Sequence, residues 1–241
     1  MTDINKWNAI AVEYTDWLEN QKDKKGFAFN QSLTRAIIER LPNDNGLSLL
    51  DLGCGDGSLL SLLCSHYSKV LGIDGAEKMI EVARNKYPQL KESFLVCDIT
   101  KQFPLLDNSY DIVLCNMVLM DLENIESTIR EIHRVLRQNG VFILTTTHPC
   151  FSFVSHHSSN PERRYIDNFH HEKTLDTTFS SICNNYHRPI HFYLQQLLQT
   201  NFEIKWFEEI SIEKGKDSLS KYFLTANAML IESKKNTKPT L

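Results

Sequence analysis

Two rhythms of apolar residues divide the chain. Over residues 2–20, Trp7, Ile10, Ala11, Tyr14, Trp17 and Leu18 recur at spacings that predict an amphipathic helix. A charged break at Lys22–Gly26 precedes a second predicted helix, Asn30–Leu41, with Leu33, Ile37, Ile38 and Leu41 on its apolar face and Pro42 after its end. From residue 47, short apolar runs alternate with helical patterns. The runs Leu47–Leu52, Lys69–Asp74, Glu92–Ile99, Tyr110–Asn116 and Val141–Thr147 read as strands. Ser58–His66, Ala76–Tyr87 and Ile125–Gln138 read as intervening helices. Leu59, Leu62 and Leu63 are expected inside the first, and Gly140 near the C-cap of the last.

Such alternation predicts βαβ units in a parallel sheet with helices on both faces. Right-handed crossovers bring the C-terminal ends of the strands to one edge, where ligands of such sheets bind. After strand five the rhythm breaks. Residues 150–188 lack a period and are rich in Ser, Asn, His and aromatic side chains. Pro189–Thr200 then reads as a helix, and Phe202–Ile210 and Tyr222–Glu232 as two more strands. One domain is expected: a helical cap (1–46), a core (47–149), an insertion (150–188) and a closing helix with two strands (189–235).

Composition narrows the classes. A net charge of −4 supplies no basic field for nucleic acid or acidic membranes. No apolar run reaches a membrane span, and the first residues form no signal-peptide core. Six cysteines are scattered without a CxxC pair, as expected of reduced thiols packed as small hydrophobes. The expectation is a cytoplasmic protein without a metal.

The candidate chemistry clusters at the predicted sheet edge. Leu50-Asp51-Leu52-Gly53-Cys54-Gly55-Asp56-Gly57 follows strand one, and glycines there let backbone turn sharply beside a ligand. Asp74 ends strand two, where a carboxylate can accept hydrogen bonds from both hydroxyls of a ribose. Asp98 follows strand three, near the place for an adenine edge, and Asn116 with Met117 follows strand four. A dinucleotide fingerprint would put a third glycine at position 58, which is Ser58.

Residues 48–147 resemble a class I S-adenosylmethionine-dependent methyltransferase core of the type 11 small-molecule group. The glycine segment resembles that family's first motif. Gly72-Ile73-Asp74-Gly75-Ala76-Glu77-Lys78-Met79-Ile80 resembles its ribose-binding segment, and Cys97-Asp98-Ile99 its adenine-side motif. Phe103-Pro104 through Val113 and Arg134–Phe142 resemble the runs into strands four and five. The resemblance implies a Rossmann-like seven-stranded sheet, mostly parallel, with an antiparallel C-terminal edge. It implies S-adenosylmethionine as donor and S-adenosylhomocysteine as product. Gly53, Cys54 and Gly55 would line the methionine part, Asp51 and the Asn116 carbonyl would meet its amino group, and Asp74 with Gly75 would hold the ribose. Met79 and Met117 would pack nearby, and Asp98 with the Ile99 backbone would read adenine. Residues 7–14 resemble the helix that covers the cofactor in this group, so Tyr14 would reach the cofactor carboxylate.

On the acceptor side, seven of the nine histidines lie between 148 and 191. His148 and His187, next to segments that resemble those of a methyltransferase subset with a substrate lid, are the expected base or substrate-orienting residues. Phe151, Tyr186 and His191 are expected to bind substrate, and aromatic residues of the insertion to form an apolar pocket. The strand-four exit lacks the Asn-Pro-Pro-Tyr type motif of enzymes that methylate adenine or glutamine amides, and no Lys/Arg stripe suits RNA. The expected reaction is therefore methyl transfer to an O, N or C nucleophile of a small organic molecule, by a monomer or homodimer. A protein or peptide methyltransferase and a non-catalytic cofactor-binding protein are the alternatives.

Overall fold

A computed structural model of the chain describes residues 3–20, 25–150, 186, 188–211, 226 and 228–236. Two helices, α1 (Asp3–Asn20) and α2 (Lys25–Arg40), precede the first strand. The core then runs β1 (Ser48–Leu52), α3 (Ser58–Leu63), β2 (Lys69–Asp74), α4 (Glu77–Lys86), β3 (Phe94–Val96), β4 (Tyr110–Asn116), α5 (Glu126–Val135) and β5 (Leu136–Thr147). It closes with α6 (Ile190–Gln199), β6 (Phe202–Ile210) and β7 (Ala228–Lys235). The seven strands form one sheet in the order β3-β2-β1-β4-β5-β7-β6. The first five are parallel, while β7 runs antiparallel between β5 and β6. This is a Rossmann-like fold with the predicted antiparallel edge.

Apolar side chains alternate across the sheet because successive residues of a strand face opposite sides. Leu50, Leu52, Val113, Phe142 and Leu144 join Ile129, Ile132 and Leu197 in one core. Leu49, Ile112, Leu114 and Ile143 join Ile37, Leu60, Ile80 and Leu230 in the other. With both faces covered, all five residues of β1 are buried. The strand order reverses between β1 and β4, which opens a crevice at their C-terminal ends.

Several boundaries differ from the expectation. Helix α2 starts at Lys25, five residues earlier than read, since a lysine in a charged stretch is still a good helix former. It buries Ala36 and Ile37 and leaves Ile38 exposed. In α3, Leu60 and Leu63 are buried while Leu62 faces out, because Gly57 enters the helix in a left-handed conformation and sets a different phase. Strand β3 has only three residues, Phe94–Val96. Pro88 opens a 3-10 turn over Pro88–Ser93 before it, and Asp98 closes a turn on Thr100 after it. Helix α5 ends at Val135, not Gln138, and Leu136 pairs directly with Tyr110. Gly140 is therefore not a helix cap; a side chain there would meet the Arg137 carbonyl at 2.8 Å and the Asp111 carbonyl at 3.1 Å. Strand β7 runs on to Lys235, past the expected end at Glu232, and residues 222–225 and 227 of the expected strand lie outside the described residues. Residues 151–185 and 187, which hold most of the expected lid with Phe151 and His187, lie outside the described residues.

Two polar networks fix the core beneath the crevice. Arg134 donates to the carbonyls of Phe103 and Leu105 and to Asp107 and Glu131, so it pins the loop between β3 and β4. Asp111 accepts from the Ser48 amide and hydroxyl and from Arg137, which locks β4 to the start of β1. The family-like segment Arg134–Phe142 thus shows itself as scaffold.

Candidate active site

The glycine loop leaves β1 on left-handed residues: Gly53, Gly55 and Gly57 have φ of 68°, 53° and 75°. Only glycine adopts this region at no steric cost. A side chain on Gly53 would also strike Val118 at 2.4 Å, whereas one on Gly55 would meet nothing within 4 Å. The loop is thus packed at Gly53 and open above Gly55. Its start is tethered to β2 by Gly53 N–H and Cys54 N–H, both donating to the Ile73 carbonyl. The Cys54 side chain turns inward and fills the space that Gly72 leaves. Cys54 can therefore offer the crevice only its backbone.

Asp74 binds this loop to the next one. One carboxylate oxygen accepts from Gly55 N–H at 3.0 Å and the other from Ala76 N–H at 2.8 Å. Burial pushes its pKa up, while those two bonds pull it down. Asp51, one strand away, is 2% exposed and accepts no hydrogen bond from a described residue. Burial first, and Asp74 second, push its carboxyl up to about 8. A carboxylate enclosed without a donor is costly unless a cation or donor arrives.

Helix α1 lies along α4 and brings its first turn to the same edge. Ile4 would be 2.9 Å from a side chain on Gly75, and Asn8 accepts from Lys78 N–H at 2.9 Å. Met79 is buried with Ala11 and Ala76 and packs against Trp7 and Tyr14. Tyr14 also packs edge-on to Trp7 and stacks on Trp17. At the tail of α1, Lys86 pairs with Glu19 at 2.9 Å and with Asp56 of the glycine loop at 2.8 Å.

The other expected donor-side residues split into two groups. Asn116 accepts from the Thr145 hydroxyl at 2.6 Å, and Met117, at φ 57°, donates its N–H to the Thr145 carbonyl. Both are fixed beside the crevice at the β4 exit. Asp98 is occupied by its own turn. It accepts from Thr100 N–H and hydroxyl and pairs with Lys101 at 3.0 Å. Desolvation raises its pKa, but those bonds outweigh it and hold the carboxyl low. Ile99 is buried, with its carbonyl accepting from Thr128.

His148 follows β5 and is 1% exposed. Its Nδ1 accepts from Cys150 N–H at 3.2 Å, so the ring proton sits on Nε2, 2.9 Å from Glu209 on β6. Both ring nitrogens are used, which leaves no lone pair for a substrate proton in this arrangement. His191 is exposed on the first turn of α6. Tyr186 reaches the crevice: its N–H donates to the Met120 carbonyl at 2.6 Å and its hydroxyl to Asp3 at 3.3 Å.

One further group at this edge escaped the sequence reading. Asp121 ends a 3-10 turn, Leu119–Asp121, just after β4. Burial, then Asp3, then Asp74 push its carboxyl well above the usual range. The signal was available in Met120-Asp121-Leu122, an acid soon after strand four, as Asp51 and Asp74 accompany strands one and two.

The Rossmann-like sheet, the open glycine loop and the acid after β2 fit the class of S-adenosylmethionine-dependent methyltransferases, and the family match carries the assignment. Residues 50–144 match the type 11 family model, described as a methyltransferase domain. The protein is an enzyme of that class, and S-adenosylmethionine is its cofactor. It is 28% identical over 187 residues to an uncharacterised protein of Haemophilus influenzae, covering 72% of this chain and 74% of that one. It is 29% identical over 157 residues to the ubiquinone biosynthesis O-methyltransferase of Pelagibacter ubique, covering 60% and 63%. Against the malonyl-[acyl-carrier protein] O-methyltransferase of Bacillus cereus, identity is 25% over 211 residues, covering 84% and 75%. The fold is shared with a crystal structure from Listeria monocytogenes, provisionally assigned to the same class, at TM-score 0.71 and 24% identity over 86% of this chain and 97% of that one. An S-adenosylmethionine dependent methyltransferase from Mesorhizobium loti gives TM-score 0.66 and 22% identity over 84% and 97%.

Proposed function

We propose that the protein transfers the methyl group of S-adenosylmethionine to a nucleophile of a small organic molecule. The observation that carries this reading is the buried carboxyl of Asp51, without a hydrogen-bond donor among the described residues, near the open floor above Gly55. A ligand with an ammonium group and a sulfonium suits a crevice with carboxylates that no described cation neutralises. When bound, this cofactor supplies a methyl group already made electrophilic by the positive sulfur.

The chain's own residues then bind, orient and exclude water. Asp51 and the Asn116 carbonyl take the ammonium end, and the Gly53–Gly55 backbone lies beneath it. Asp74 keeps its two backbone donors and offers its remaining lone pairs to the ribose hydroxyls. Gly75 and Met79 border the ribose, Met117 and the Ile99 backbone the adenine, with Asp98 holding the turn that presents Ile99. The first turns of α1 cover the site, and Tyr14 braces that cover through Trp7, Trp17 and Met79. Alignment of donor and acceptor in a dry crevice supplies most of the acceleration, as for other effective-concentration effects.

The reading draws support from two relatives named as O-methyltransferases, one of ubiquinone biosynthesis and one of malonyl-[acyl-carrier protein]. Tyr186 lies on the acceptor side of the crevice. Calorimetric titration with S-adenosylmethionine tests the reading: saturable binding at one site is expected, and no binding would overturn it. A panel of small hydroxy, carboxy and amino compounds, followed by product detection, then identifies the acceptor class.

A further inference from the structure

The chain leaves β4 in a conformation that its residues do not favour. Met117, with φ of 57°, lies in the left-handed region, which a residue with a side chain enters only at a cost. Thr145 of β5, fully buried, holds it there. The Met117 N–H donates to the Thr145 carbonyl at 3.0 Å and also to the Thr145 hydroxyl oxygen at 3.1 Å. That hydroxyl gives its own proton to Asn116 Oδ1 at 2.6 Å. One threonine thus grips Asn116 by its side chain and Met117 by its backbone.

The peptide joining these two residues is planar and trans, so its C=O and N–H point in opposite directions. Its N–H points at β5. The Asn116 carbonyl therefore points away from β5, toward β1, which pairs with β4 on the other side as far as Leu52 and Cys115. The next N–H groups of that chain, on Gly53 and Cys54, turn away and donate to the Ile73 carbonyl of β2. The Asn116 carbonyl is left facing the gap where β1 and β4 part, at the start of the glycine loop. Val118 sets the width of that gap, since a side chain on Gly53 would meet its Cγ2 at 2.4 Å and its Cγ1 at 2.9 Å.

We propose that Thr145 is a positioning residue of the donor site: by holding Met117 in its left-handed turn, it aims the Asn116 carbonyl at the ammonium group of the cofactor. This rests on the donor reading above. Valine in place of threonine keeps the shape and the strand preference but removes both hydroxyl bonds. Met117 can then relax toward an ordinary φ, and the peptide plane rotates its carbonyl off the gap. Serine keeps the hydroxyl and with it the turn. Glycine at position 117 adopts the left-handed region without steric cost, which makes the hydroxyl dispensable.

The test needs no acceptor. It is calorimetry of the full chain with S-adenosylhomocysteine and with methylthioadenosine, which keeps the adenosine and lacks the ammonium and carboxylate. Thr145→Val should weaken S-adenosylhomocysteine by about 10-fold, as expected for the loss of a hydrogen bond. The same change should cost methylthioadenosine less than about 2-fold, and Thr145→Ser should stay within about 2-fold of wild type with both. In a Met117→Gly background, Thr145→Val should cost S-adenosylhomocysteine less than about 2-fold, and comparison within that background cancels what the Met117 side chain contributes itself. Thr145→Ala, which also lacks the hydroxyl, gives the same comparison where the valine substitution prevents folding. Unchanged affinity in Thr145→Val overturns the proposal. Equal losses with the two ligands, or in the two backgrounds, also overturn it, because either would mark Thr145 as an ordinary packing residue. Failure of the wild type to bind S-adenosylhomocysteine would refute the donor reading, and the proposal with it.

Discussion

The two sides of the crevice are built in opposite ways. On the β1–β2 side the polar groups are tied by short-range bonds. Asp74 accepts from Ala76 two residues away and from Gly55 nineteen residues away, and Asp98 is held by Thr100. On the β4–β5 side the bonds join remote segments: Tyr186 to Asp3, Arg188 to Leu119 and Leu122, His148 to Glu209. The β1–β2 side is tied within one stretch of chain, from the glycine loop to Thr100. The β4–β5 side exists only once the N-terminal helix, the β4 turn and the segment before α6 have come together.

The sharpest way to break this contrast is at Asp74. Asp74→Ala removes two charge-assisted bonds that hold the glycine loop, each worth about 1.5–3 kcal/mol, as well as the proposed ribose acceptor. Affinity for S-adenosylmethionine should fall by roughly 10²-fold or more, read by calorimetry. Unchanged affinity would show that the loop keeps its shape without Asp74 and that the β1–β2 side is not self-contained.

A smaller effect separates the satisfied from the unsatisfied acid. Burial, and then the neighbouring Asp74 charge, push the Asp51 carboxyl from its ordinary 3.8 up to about 8. Between those values the folded chain binds more protons than the unfolded one, so stability falls as pH rises through that window. The unliganded protein should therefore lose several degrees of melting temperature from pH 5 to pH 8, and Asp51→Asn should flatten the decline. Asp74, whose two backbone bonds offset part of its burial, should contribute less. A slope that survives in Asp51→Asn would place the strain in another group.

How much could be read from the residues alone follows the same division. The strand rhythm, the order of motifs and the positions of Asp51, Asp74 and Asn116 were legible, because local pattern and short-range bonding fix them. The end of α5 was not, since Leu136 obeys its pairing with Tyr110 over the helical period that continues through Gln138. His148 was singled out as a residue type placed after strand five; the engagement of both its nitrogens depends on Glu209, sixty-one residues away, and on Cys150. Arg188 stood in a histidine- and aromatic-rich context that drew attention elsewhere, and no local pattern announces a guanidinium that closes on a turn sixty-nine residues earlier.

The position of Lys86 has a consequence for how the covering helix is held. Its ammonium joins Glu19, at the tail of α1, to Asp56 of the glycine loop, and it is partly exposed to solvent. Ion pairs of this kind weaken as salt shortens the Debye length from about 10 Å at 0.1 M to 3 Å at 1 M. The first turn of α1 has a different hold: Ile4 against Gly75 and the hydroxyl of Tyr186 on Asp3. Ionic strength therefore acts on the helix unequally. Amide hydrogen exchange should quicken at residues 16–20 with added salt and change little at residues 4–8, the smallest of the effects named. Equal acceleration along α1 would mean that the helix lifts as one rigid piece, with the same counter-ions governing both its ends.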